Sequence, residues 1–140
     1  MQRRTTVLPA RLSHLRPLQG FVEAFCNETR LSDSFAKWLN LVIEELFTNI
    51  VKHGHGSDCD APVWVSLSRS GDIVGIVLED TAPAFNPFAK PVSDESPAET
   101  RRVGGLGIKL MRAITVSAEY AYIFGRNHLR MSMQADSGVR

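Results

Sequence analysis

The 140-residue chain has only two cysteines, Cys26 and Cys59. That is too few for a disulfide scaffold, and a reducing cytoplasm is the simpler expectation. No apolar run approaches the roughly 20 residues that a helix needs to cross a bilayer, so no membrane association is expected. The opening stretch, MQRRTTVLPARL, has two arginines but no apolar region after them, which argues against export. Net charge is +1, giving no electrostatic reason to expect a nucleic-acid partner. Internal repeats and low-complexity tracts are lacking. So are a G-x-x-x-x-G-K-[ST] loop and a G-x-G-x-x-G directly after a strand, which disfavours P-loop and Rossmann enzymes. What is there is ordinary for a globular protein: 44% hydrophobic and 22% charged residues. The length fits a single domain over 1–140 with a sizeable core.

Hydrophobic spacing outlines the elements. Residues 5–8 read as a short strand ended by Pro9. Leu12, Leu15, Leu18, Val22 and Phe25 recur at helical spacing, with Pro17 placing the helix start near Arg16. A longer helix runs from Ser32 to Gly54, with Ser32 as N-cap, Asp33 at the positive dipole end and Gly54 and Gly56 as the stop. Its apolar set is Phe35, Trp38, Leu39, Val42, Leu46, Phe47, Ile50 and Val51, which places Trp38 in the core. Residues 63–70 and 72–80 form a hairpin, and the nearly continuous apolar run of the second strand suits a central position. Residues 81–103 hold four prolines and little periodicity. A loop of that length in a compact domain is usually functional. GGLGIKLMRAI (104–114) starts glycine-rich and becomes a helix, and residues 117–124 and 128–135 make a closing hairpin. The order predicts an α+β fold. The expected form is a two-layer sandwich, a mixed, mainly antiparallel sheet with its helices on one face.

Three groups of residues bear on chemistry. Glu45 and Asn49 stand one turn apart on the long helix, with Lys52 and His53 continuing that face. A carboxylate there can orient or deprotonate a hydroxyl, and an amide oxygen can hold Mg²⁺; the alternative is a solvated helix face. Asp80 ends the central strand. It can accept a hydrogen bond from an exocyclic amine such as that of adenine, or simply cap the turn. Gly104, Gly105 and Gly107 open a helix, where free amides attract phosphate, or where the chain only turns a corner. His53, His55 and Cys59 match no standard zinc spacing. Cys26 is expected to be buried and inert, and Phe85 and Phe88 could flank a base or anchor a loop.

Taken together and in this order, IEELFTNIVKHG, LEDTAPAFNPF and GGLGIKLMR resemble the motifs of the GHKL (histidine-kinase-like) ATP-binding superfamily. They are most similar to those of bacterial anti-sigma-factor serine/threonine kinases. The closing EYAYIFGRNHLRM is similar to that family's last hairpin, so the resemblance covers nearly the whole chain. It implies Mg²⁺ and ATP as cofactors. Glu45 matches the catalytic carboxylate, and Asn49 matches the metal ligand that couples Mg²⁺ to the ATP phosphates. His53 falls near the phosphate end, and Asp80 matches the reader of the adenine amine. Gly104, Gly105, Leu106 and Gly107 match the phosphate-wrapping backbone. Residues 88–103 become the ATP lid, from which Arg101 or Arg102 reaches a phosphate.

The resemblance further implies serine/threonine protein kinase activity on an anti-anti-sigma (STAS-domain) partner, sequestration of a sigma factor, and homodimer formation. Two alternatives keep the fold: a nucleotide-dependent partner-binding module without phosphoryl transfer, and a switch kinase acting on a STAS scaffold. One position departs from the pattern. The family's Asp-x-Gly reads Asp80-Thr81-Ala82 here. The alanine adds a methyl group beside the base and resists any positive-φ backbone.

Overall fold

The computed structural model describes residues 1–87 and 115–135. The expected lid (88–103), Arg101, Arg102, Gly104, Gly105, Leu106, Gly107 and the helix over 104–114 lie outside the described residues, as does Phe88.

Strands β1 (Gln2–Pro9), β2 (Pro62–Ser70), β3 (Ile73–Asp80), β4 (Thr115–Ile123) and β5 (Arg126–Gln134) form one sheet in the order β1-β2-β3-β5-β4. All four pairings are antiparallel. Helices α1 (Leu15–Glu28) and α2 (Asp33–Asn49) pack on one face. The result is an α+β fold with β3 at the centre of the sheet, as its apolar run requires.

Each element follows from its sequence. In α1, Pro17 falls in the first turn, where a missing N–H breaks no intrahelical bond. Ser32 caps α2, its hydroxyl oxygen accepting from Phe35 N–H at 3.1 Å. The helix then continues as a π-helical segment over Ile50–His55 and stops at Gly56, whose φ of +88° suits glycine. β1 is longer than the alternation of 5–8 suggests. Its full length pairs with β2, from Gln2 opposite Arg69 to Pro9 opposite Pro62, and the ladder ends where prolines face each other.

The core lies between the helices and the inner face of the sheet. Val63, Val65 and Leu67 of β2, Val74, Ile76 and Leu78 of β3, and Leu129, Met131 and Met133 of β5 supply the sheet side. Phe25, Leu39, Ile43, Leu46 and Phe47 answer them from the helices. Two expectations about α2 are revised. Trp38 is 36% exposed rather than core, and Ile43 is fully buried in its stead. Phe35, Leu39, Val42, Ile43 and Leu46 define the stripe that faces the sheet, and Trp38 stands beyond its edge.

Candidate functional site

The inner rows of β3 and β5 end in polar residues. Asp80 closes the row Val74-Ile76-Leu78, and Asn127 opens the row Leu129-Met131-Met133. Strand register sets Asp80 opposite Asn127. Both are nearly buried, at 5% and 4% exposure. Burial of a polar group is costly unless its bonds are made inside, and here they are. Asp80 Oδ1 accepts from Ala82 N–H and from Asn127 Nδ2, each at 2.9 Å. Asn127 Nδ2 also faces the carbonyl oxygens of Ala82 at 3.0 Å and Pro83 at 3.2 Å. On its other side, Asn127 Oδ1 accepts from Phe85 N–H at 3.0 Å and from the Tyr120 hydroxyl.

Electrostatics follow from this enclosure. Burial pushes the Asp80 carboxyl above the usual carboxylate range. The bonds from Asn127 and Ala82, and the nearby His55, act against that rise. The Tyr120 hydroxyl is likewise pushed up, mainly by desolvation.

These residues sit at one end of a cleft between the helical layer and the sheet. Leu46, Ile50, Leu78 and Leu129 give it apolar walls, and Asn49, Asp80, Tyr120 and Asn127 give it polar points. Gly54, Phe85 and Pro87 complete the lining. An apolar slot with a few fixed polar groups suits a flat heteroaromatic ring better than a charged one.

The helix side brings Asn49 to the cleft. Asn49 is 3% exposed, and among the described residues its Nδ2 has no hydrogen-bond partner. An orphan buried amide nitrogen costs about 1–3 kcal/mol, and this one stands in the cleft lining, where an acceptor on a bound molecule could pair with it. Glu45 is half-buried one turn earlier on α2 and does not line the cleft. His53 is exposed on the π-helical segment, its ring centroid 6.4 Å from that of Phe85. The fold therefore brings Asn49, Asp80 and Phe85 into one cleft and sets His53 at its rim.

Ala82 is buried, and its backbone is not in the positive-φ region. Among the described non-glycine residues only Arg30 and Phe124 are there. The expected conflict between alanine and the turn's conformation is thus absent. Room for its methyl comes from Gly54: a Cβ added there would stand 3.0 Å from Ala82 Cβ.

No cluster of three or more His, Cys, Asp or Glu side chains able to hold a metal occurs among the described residues. Asn49 offers one hard, neutral oxygen. That suits Mg²⁺, which keeps its waters and takes most other ligands from substrate phosphates.

Two site residues were missed from sequence. Asn127 did leave a signal, as the one polar member of the inward row Asn127-Leu129-Met131-Met133. Tyr120 left none, because its strand alternates weakly and only the pairing with β5 points it inward.

The chain belongs to the histidine kinase-like ATPase domain family, whose pattern matches residues 8–133. Its fold is similar to the crystal structure of the RsbU and RsbW domains of Rv1364c from Mycobacterium tuberculosis, with a TM-score of 0.68 and 15% identity. That match covers 96% of this chain and 33% of the other, so the chain spans about a third of that relative's length. A comparison with curated proteins returned no match. Among the described residues no helix is long and apolar enough to cross a membrane.

Proposed function

We propose that this domain is a serine/threonine protein kinase of the anti-sigma-factor type. In this reading it binds Mg·ATP, phosphorylates a STAS-domain anti-anti-sigma partner, and sequesters a sigma factor as its second partner. The observation that carries the reading is the pairing of Asp80 with Asn127 at the closed end of an apolar cleft, with the Asn49 amide buried alongside. Adenine would enter between Leu46, Ile50, Leu78 and Leu129, its amino group donating to Asp80. Gly104, Gly105, Leu106 and Gly107, with Arg102, are proposed to hold the phosphates.

Asn49 would hold Mg²⁺ through its carbonyl oxygen, and the metal would neutralise charge on the phosphates. Glu45, one turn away, would accept the proton of the acceptor hydroxyl. The new bond joins the hydroxyl oxygen to the γ-phosphorus, the bond from that phosphorus to the β-γ bridging oxygen breaks, and ADP leaves. Positioning and charge neutralisation do most of the work in such transfers.

The test is incubation with γ-labelled ATP, Mg²⁺ and candidate STAS-domain proteins from the same organism. Label on the partner, lost in Glu45→Ala, is the expected result. Partner binding without label would instead favour a nucleotide-dependent binding module. Label transfer without binding to any candidate sigma factor would favour a switch kinase.

A further inference from the structure

The Tyr120 ring packs against the core, but packing does not account for its hydroxyl or for the Asn127 amide, which meet in a hydrogen bond. Tyr120 is half-buried, on a strand whose other residues are mostly exposed. Asn127 sits where an apolar side chain would continue its row. Yet Asn127 makes five polar contacts.

The orientation of the Asn127 amide is fixed by its neighbours. Its oxygen faces two donors, Phe85 N–H and the Tyr120 hydroxyl. Its nitrogen faces three acceptors, Asp80 Oδ1 and the carbonyls of Ala82 and Pro83. Turning it over would set donor against donor and acceptor against acceptor. The consequence falls on Asp80. Oδ1 is occupied by Ala82 N–H and Asn127, so Oδ2 is the oxygen left to face the cleft. The same amide ties down the backbone at Ala82, Pro83 and Phe85, the segment that closes over that carboxylate.

We propose that Asn127 and Tyr120 are a positioning pair for base recognition. They lock the Asp80 carboxylate in one rotamer and clamp the 82–85 turn, so that selectivity for a 6-amino purine depends on the Tyr120 hydroxyl and the Asn127 amide as well as on Asp80. This deepens the ATP-binding reading and rests on it. A carboxylate that must reorient on binding loses part of the bond it makes, whereas a preorganised one keeps it.

The experiment compares Mg·ATP with the triphosphate of purine riboside, which lacks the 6-amino group. In the parent protein ATP should bind about tenfold tighter, the worth of one well-placed hydrogen bond to a charged acceptor. Asn127→Ala should bring that ratio close to one. Affinity for ATP over AMP, which reads the phosphate end, should stay as it was. Tyr120→Phe keeps the ring and should lower the ratio about threefold, consistent with loss of one supporting bond. Circular dichroism of each variant reports folding, and if Asn127→Ala does not fold, Tyr120→Phe carries the test. A ratio unchanged in the folded variants overturns the positioning role and leaves ATP binding intact. A parent protein that binds neither nucleotide overturns the ATP reading itself, and this role with it.

Discussion

Gly54 and Ala82 share one space. A Cβ on Gly54 would lie 3.0 Å from the Ala82 methyl, closer than ordinary van der Waals contact. The end of the π-helical segment and the turn after Asp80 meet there, at the wall of the cleft. The methyl that Ala82 carries is accommodated because residue 54 has none. Gly54→Ala should therefore destabilise the domain by about 1 kcal/mol, as overpacking of a tight contact does. Ala82→Gly in the same chain should recover most of that loss. Denaturant titration of the two single variants and the double variant measures the coupling; strict additivity would contradict it.

Asn49 carries a second expectation. Its Nδ2 is buried without a partner among the described residues. Asn49→Leu should raise the stability of the nucleotide-free domain by about 1 kcal/mol, since it removes an unsatisfied amide in a partly apolar cleft. The same variant should lose Mg²⁺-dependent ATP binding. Calorimetric titration with and without Mg²⁺ separates the two effects.

Asp80 gives a pH dependence. Burial raises its folded-state affinity for a proton above that of the unfolded chain. The folded state then binds more protons between the ordinary carboxylate range and the raised value, so stability falls as pH rises through that window and is level above it. Asp80→Asn, which cannot ionise, should melt higher than the parent at neutral pH. The difference should vanish as pH drops below the ordinary carboxylate range. A gap that widens on acidification would contradict the burial argument. The variant should also lose ATP selectivity, because an amide nitrogen can take the place of Oδ2 as the group facing the base.

The tip of the β4–β5 hairpin stores strain. Phe124 and Gly125 both have positive φ, at 51° and 77°, and Phe124 is 99% exposed. Such turns favour asparagine at the first position. Phe124→Asn should stabilise the domain by about 1 kcal/mol, or raise its melting midpoint by about 3 °C.

The cysteines should differ in reactivity. Cys26 is buried, and desolvation pushes its thiol up to about 11. Cys59 is half-buried. A thiol reagent at neutral pH should label one cysteine in the native protein and the second only on unfolding. Native labelling of Cys26 would show that the α1 core opens readily.

Periodicity in this sequence determined the helices and strands, because burial of apolar side chains on one face imposes a period of 3.6 or 2 wherever an element packs. That logic placed α1, α2, the β2–β3 hairpin and the closing hairpin, and it put Asp80 at the end of a central strand. It also marked Asn49 on the cleft-forming helix through its spacing from Glu45. It erred at Trp38, where helical spacing cannot tell the centre of a buried stripe from its edge.

Tertiary structure alone decided the rest. Asp80 and Asn127 are far apart in the chain and become partners only through the register of β3 with β5. Tyr120 reaches them only because β4 pairs with β5. Whether Ala82 fits depended on Gly54, on a different element. Cross-strand register and close contacts between elements arise from pairing distant segments, and no local pattern of residues records which segments will meet.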